Sequence, residues 1–380
     1  MRLLSVLITP NPTLSPYGAE RTCIELMSEL TRLGVHAYTL ERQPAFGRTH
    51  QLNFQSFEVP RDVFSGSLSM IRISLIALRL CLRLKCDAIY AYGDYMEKSF
   101  LPAYFASVIT RKTFLTSVLD DAKRHVDSKG FFGLMKYSYR RHRRSMLGYV
   151  AFHLIRRFGF RTSCVALAAT DQMANYAKEV LRARRVVVIG RGLEDVWFTP
   201  TSQTKKYDAI FVGRIHPAKG VGILLDAWSK VVSKRKESKL LVVGSGPYLP
   251  EAIEKSRRLG ISENVAFEGY VSDRMSMRDL LSASKILVLP SMVEGFARVV
   301  AEGLACGLPC ILSDIPVLRE VYGEVGVFVP KDDSVGYSRA ILTLLENDEL
   351  RRIRGQKGLT FVSRFKWPVV ARKMIDAMNR

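Results

Sequence analysis

No uncharged apolar run in this chain approaches the roughly 18–20 residues that span a bilayer, so a transmembrane helix is not expected. A signal-peptide pattern is lacking too, because Met1-Arg2 leads directly into a core-type strand. Cysteine is sparse and scattered, at positions 23, 81, 86, 164, 306 and 310, and Cys306 and Cys310 lack histidines nearby. That spacing excludes the usual zinc patterns and fits free thiols in a reducing cytosol. There is no short-period repeat and no low-complexity tract. The usual nucleic-acid recognition motifs are missing as well. Acid is the scarce charge: 36 Asp and Glu stand against 57 Lys and Arg, a formal net charge of +21. Such a balance attracts anionic partners without specifying a function.

With 48% hydrophobic and 24% charged residues the chain is globular, and 380 residues suffice for two domains. Apolar strands alternate with helical segments in both halves, which predicts an α/β protein built on parallel sheets. The polar stretch around Pro200 suggests a boundary. The expected division is a first domain over 1–195, a linker over 196–206, a second domain over 207–362 and a terminal helix over 363–380.

The most informative stretch runs from Lys285 to Pro316. An apolar strand breaks at Pro290-Ser291, Glu294 follows in a loop, and a helix carrying Glu302 leads to a second apolar strand at Cys310–Leu312. Strand ends that open onto a helix N-terminus are where open α/β sheets bind ligands. Free amides from about Ala297 to Val300 suit a phosphate, and two carboxylates beside it need hydroxyl-rich groups to bind. Phosphate with hydroxyls describes a sugar nucleotide. The plainer alternative is that Glu294 is an acid favoured before a helix and that Glu302 is simply solvated.

A second strand, from Tyr207, ends in Gly213-Arg214, and Lys219-Gly220 open the next helix. Arg214 offers a planar fork and Lys219 a point charge to phosphate oxygens, unless both are simply surface cations. A third strand, 239–243, ends in the loop Gly244-Ser245-Gly246, where backbone can approach a ligand closely.

These motifs, with VAFEGYV, GVFVP and Trp367 in the same order, resemble glycosyltransferase family 4. The resemblance implies a GT-B fold, two Rossmann-like domains facing each other across a cleft. It also implies retaining, metal-independent transfer of a hexosyl group from a nucleotide sugar, with no cofactor. On that resemblance Arg214 and Lys219 would hold the donor diphosphate, and Glu294 would bind the sugar hydroxyls. The backbone of Phe296, Ala297, Arg298 and Val299 would approach sugar and phosphate, and Glu302 would take the ribose. The base would lie near Gly244 and the Gly269-Tyr270 turn. Gly18, after a first strand over 3–10, would face the diphosphate from the N-terminal half. One departure stands at 119–121, where the family commonly carries a histidine and this chain has Leu119-Asp120-Asp121. It leaves open a non-catalytic scaffold on this fold, or another sugar-nucleotide enzyme such as an epimerase.

Charge is concentrated between Ala122 and Arg161, with eleven Lys and Arg against Asp127 alone. Aromatics are interleaved with the cations, which suits an anionic membrane surface. The expectation is a cytoplasmic enzyme held at the inner face of the membrane through 122–161, acting on a lipid-linked or polysaccharide acceptor, with no specific nucleic-acid partner. The segment 68–85 places Arg72, Arg79 and Arg83 on one face. There a packed helix with a basic edge is the simpler reading.

Overall fold

The computed structural model describes residues 1–7, 19–41, 53–59, 63, 69–93, 97–118, 146–162, 164–199 and 204–379. They divide into two compact units, one made of Met1–Gly192 with Trp367–Arg380, the other of Leu193–Lys366.

In the first unit the order is β1 (Arg2–Leu7), α1 (Ala19–Arg32), β2 (His36–Glu41), β3 (Gln55–Glu58), α2 (Ser69–Arg83), β4 (Ala88–Ala91) and α3 (Glu97–Thr110). Then come β5 (Thr113–Val118), α4 (Met146–Thr162), β6 (Cys164–Ala168), α5 (Asp171–Glu179) and β7 (Arg185–Val188). All seven strands are parallel, in the order β3-β2-β1-β4-β5-β6-β7. The central strands β1, β4, β5 and β6 are largely apolar and buried because helices cover both faces. One face packs against α2, α3 and α4 through Ile73, Ala77, Phe100, Tyr104, Phe152 and Phe160. The other packs against α1 and the C-terminal helix Trp367–Asn379.

That last helix belongs to the first unit because its apolar stripe has nowhere else to go. Trp367, Val370, Ala371 and Met374 are buried with Cys23, Leu26, Met27 and Leu30 of α1. The Trp367 indole donates to the Glu25 carboxylate at 3.2 Å. Gly192 lies flat against the same indole, so close that a Cβ there would stand 2.1 Å from Trp367 Cδ2.

The second unit contains β8 (Tyr207–Val212), α6 (Val221–Lys234), β9 (Leu240–Val243), α7 (Leu249–Arg258), β10 (Val265–Gly269) and α8 (Arg274–Ser282). It continues with β11 (Ser284–Leu289), α9 (Arg298–Ala305), β12 (Cys310–Ser313), α10 (Pro316–Tyr322), β13 (Val327–Val329), α11 (Ser334–Glu346) and α12 (Asp348–Val362). Its six parallel strands run β10-β9-β8-β11-β12-β13. The order reverses between β8 and β11, which pair directly through Ile286 with Ala209 and Leu287 with Ile210. This is the switch point where an open α/β sheet leaves a crevice at its strand ends.

The division falls at other residues than the sequence suggested. The described part of 196–206, expected as a linker, is fastened to the second unit. A 3-10 turn at Asp195–Phe198 buries Trp197, whose indole donates to Glu194 at 2.7 Å. The Lys205 ammonium donates to the carbonyls of Ser282 and Ser284 at 2.8 and 2.7 Å. The unit closes where the Leu193 amide meets the Phe365 carbonyl at 2.7 Å, so the crossings lie at 192/193 and 366/367.

Among the described residues no helix is long and apolar enough to cross a membrane. The six cysteines are free thiols, with Cys306 half-buried and the other five buried. Burial pushes the Cys306 thiol up to about 12, so it stays protonated at neutral pH.

Gly192→Ala drives a methyl group into the Trp367 ring and should destabilise the first unit by about 1–3 kcal/mol. Thermal unfolding checks this. A second change, Trp367→Leu, should recover part of the loss by making room.

Candidate functional site

The crevice of the second unit is built by three loops that follow β8, β9 and β11. At the end of β8 the Gly213 amide donates to Val243 (3.0 Å) and the Ile215 amide to Ser245 (2.9 Å), while Ile215 accepts from Tyr248 (3.1 Å). These bonds continue the sheet past its last regular residues and sew the Gly244 loop to the Arg214 loop. Only glycine allows such an approach. At Gly244, with φ of +137°, a Cβ would stand 1.9 Å from the Gly213 carbonyl. The Gly244 amide in turn donates to Gly269 at 2.6 Å, bringing the exposed Tyr270 alongside.

Ile215 is buried and Arg214 exposed, so the first side chain anchors the loop while the guanidinium is free to meet a ligand. A 3-10 turn at Pro217–Lys219 follows, capped by His216 Nδ1, which accepts from the Ala218 amide at 3.2 Å. Gly220 closes it in the left-handed region at φ of +72°, and a Cβ there would meet the Pro290 carbonyl oxygen at 1.9 Å. The Met292 amide donates to the Ala218 carbonyl at 2.9 Å. The loops after β8 and β11 are thus one interlocked structure, although about seventy residues of sequence separate them.

That interlock brings together two of the residues singled out in the sequence. The Lys219 ammonium lies 2.6 Å from Glu294 Oε1, and both side chains are largely screened from water. Opposite charges in such surroundings attract more strongly than an exposed surface pair. Val293 beside them is exposed.

Phe296 and Ala297 turn the loop into α9. The Phe296 ring is buried and packs edge-on against Tyr322 (6.0 Å) and Phe365 (5.3 Å), which leaves only its backbone for a ligand. Ala297 sits in the left-handed region at φ of 57°, and its carbonyl accepts from the Tyr322 hydroxyl at 3.1 Å. A non-glycine residue there costs about 1–2 kcal/mol, and such strain collects where the backbone is aimed at something. The expected row of free amides is shorter than the sequence suggested. Val300 N–H is taken by the Ala297 carbonyl at 2.9 Å, a 3-10-type bond that tightens the first turn.

The side chains of Arg298 and Glu302 lie in a charged network that the sequence did not reveal. Arg298 approaches Glu194 at 3.4 Å and Glu302 at 3.8 Å, and Arg274 also pairs with Glu194. Glu194 and Arg274 come from segments with no motif around them, and only the fold brings them here. Tyr322 is another residue that sequence reasoning missed. Burial, with Cys310, Glu302 and Glu294 nearby, raises its phenol well above the ordinary range, so it remains a neutral donor. Gly18, the departure at Leu119–Asp121 and the stretch 122–145 lie outside the described residues. Among the described residues no group of three His, Cys, Asp or Glu stands close enough to hold a metal ion.

Comparison with known proteins finds likenesses in both sequence and fold. Residues 206–347 match the family model for glycosyl transferases group 1. Over that stretch the chain is similar to group 1 glycosyltransferases. Its relatives include a phosphatidyl-myo-inositol mannosyltransferase of Mycobacterium leprae, 35% identical over 169 residues, which are 44% of each chain. An O-antigen chain mannosyltransferase B of Escherichia coli is 28% identical over 171 residues, 44% of this chain and 45% of that one. The chain thus spans about half the length of the curated relatives it matches. The fold extends further. Alr3699/HepE of Anabaena in complex with UDP superposes with a TM-score of 0.76 at 18% identity, covering all of both chains. WaaG, described as a glycosyltransferase involved in lipopolysaccharide biosynthesis, gives 0.69 at 16%, covering 99% of each chain. The fold is GT-B, with two parallel-sheet, Rossmann-like halves.

Two glycines separate the strain of the loop from the interlock itself. Gly220→Ala should cost about 2–4 kcal/mol, combining left-handed strain with overpacking on Pro290. Gly260→Ala has a similar φ of +68° but open space around it, so strain alone should cost about 1–2 kcal/mol. Urea unfolding of the two variants compares them.

Proposed function

We propose that this protein is a retaining glycosyltransferase, moving a hexosyl group from a nucleotide sugar to a hydroxyl of a lipid-linked or polysaccharide acceptor. The observation that carries this reading is the Lys219–Glu294 pair set in the interlocked loops, with Arg214 exposed beside it. Glu294 holds the Lys219 ammonium in place, and a diphosphate would bring a second anion to a cation already oriented.

In the reaction the bond between the sugar C1 and the diphosphate oxygen breaks as the acceptor oxygen bonds to C1 on the same face. The acceptor proton leaves with the departing diphosphate. Charge grows on that diphosphate in the transition state, where Arg214, Lys219 and the α9 amides act most strongly. Those cations supply the neutralisation that a divalent metal would otherwise provide, which is the ground for proposing metal-independent transfer without a cofactor. Glu294 would accept from sugar hydroxyls and Glu302 from the ribose, with the base near Gly244 and Tyr270. Work at the inner face of the membrane, with 122–161 as the anchoring segment, completes the reading. Similarity to a phosphatidyl-myo-inositol mannosyltransferase and an O-antigen chain mannosyltransferase supports a lipid or polysaccharide acceptor.

A second reading is favoured by Leu119-Asp120-Asp121, where the family commonly has histidine. On it the protein binds nucleotide sugars without transferring them. Product analysis with a panel of nucleotide sugars separates the two, because only the first yields a glycoside.

Arg214→Ala or Lys219→Ala should lower kcat by about 100- to 1,000-fold, the loss of one such electrostatic contact, with a smaller change in KM. Near-normal turnover in either variant would refute the roles given. Calorimetry separates the two acids. Glu302→Ala should weaken binding of the free nucleoside diphosphate. Glu294→Ala should leave it intact while impairing use of the complete sugar nucleotide.

A further inference from the structure

Three helices of the first unit form one layer. Phe100 of α3 contacts Phe152 and Phe160 of α4 at 6.1 and 6.0 Å between ring centroids, and Cys81 of α2 lies 3.8 Å from Thr110 at the end of α3. Their inner sides are core. Their outer sides should then be polar, as on any helix that meets water, and they are not. Fifteen large hydrophobic residues are exposed among the described residues, and eight of them lie on these three helices. Leu82 is 62% exposed, Ile109 63%, Leu154 62% and Phe158 60%. The other seven are dispersed over the second unit and the C-terminal helix.

The charges on this face are of one sign. Arg79 and Arg83 of α2, Lys112 after α3, and Arg157 and Arg161 of α4 are all exposed. Helices α2 and α4 contain no acid at all, and the single acid of α3 is Glu97, its first residue. Along α2 the exposed residues Arg72, Leu75, Arg79 and Leu82 follow helical spacing, so cations and apolar groups share one stripe.

We propose that the outer face of α2, α3 and α4 is a docking surface for an anionic lipid bilayer. Arginine and lysine would meet the headgroups while leucine, isoleucine and phenylalanine enter the acyl boundary. A nucleic acid would use the cations and leave the leucines in water. A second copy related by a two-fold axis would set cations against cations. This deepens the membrane part of the function proposed above and rests on it, but it assigns the contact to helices outside the 122–145 stretch.

The test uses the full-length protein, with co-sedimentation on phosphatidylglycerol-containing vesicles and on pure phosphatidylcholine vesicles. Vesicle binding needs neither donor nor acceptor, so it fails or succeeds independently of sugar transfer. One variant removes charge (Arg79→Gln, Arg83→Gln, Lys112→Gln, Arg157→Gln) and another removes apolar groups (Leu82→Ser, Ile109→Ser, Phe158→Ser). The protein should bind the anionic vesicles only, and the charge variant should lose about 100-fold or more in partitioning. The apolar variant should also be released, with melting temperature and nucleoside diphosphate binding unchanged in both. All three native tryptophans are buried, so Phe158→Trp supplies a reporter whose emission should shift to the blue on anionic vesicles. The proposal is overturned if neutral vesicles bind equally, or if the Phe158→Trp emission stays fixed. It is also overturned if only the replacement of Arg140, Arg141, Arg143 and Arg144 by Gln releases the protein. A dimer that the apolar variant dissolves into monomers would give the face to self-association instead.

Discussion

The contact on which the second unit's site depends is a backbone contact, Gly220 against the carbonyl of Pro290. It lets the loop after β8 and the loop after β11 share hydrogen bonds, as in Met292 N–H to Ala218 at 2.9 Å. The Lys219–Glu294 pair is a consequence of that closure, because each residue stands one or four positions from a contact atom of its own loop. The same device recurs one strand over, where Gly244 lies against Gly213 and donates to Gly269. Four strand-end segments are held in this way at the switch point of the sheet. On the proposed function, such fixed backbone contacts would preorganise the site for an anionic donor.

Much of this was legible in the sequence for identifiable reasons. Apolar runs bounded by glycine gave the strands of the second sheet, and Glu294, Lys219 and Arg214 stood at strand ends where ligands bind. The helix carrying Glu302 and the terminal helix from Trp367 also lie where the pattern put them. What escaped was whatever depends on distant segments meeting. Glu194 and Arg274 carry no local signal, yet they share a charge network with Arg298. Phe296 reads as a site residue by position, while its ring belongs to an aromatic cluster with Tyr322 and Phe365. The polar stretch after Glu194 looked like a linker because its anchors, Trp197 and Lys205, are bonds to particular atoms and leave no periodic trace.

The first unit shows a related contrast. The 68–85 segment reads as a packed helix with a basic edge, and Ile73, Ala77 and Cys81 are indeed buried. Only the tertiary structure reveals that its other side is apolar too, and that α3 and α4 continue the same surface. Amphipathic pattern arguments assume one apolar side per helix. They cannot distinguish a second apolar side from a wider core.

Amide hydrogen exchange with and without a bound nucleotide sugar tests the central claim most directly, namely that the interlocked loops are where the donor sits. A panel of nucleoside diphosphate sugars would first be screened for a rise in melting temperature, since a ligand of the folded state stabilises it. With the best of them bound, exchange should slow at residues 213–220 and 290–302 and at the 244–246 loop. Protection confined to other segments, or no stabilisation by any sugar nucleotide, would contradict it.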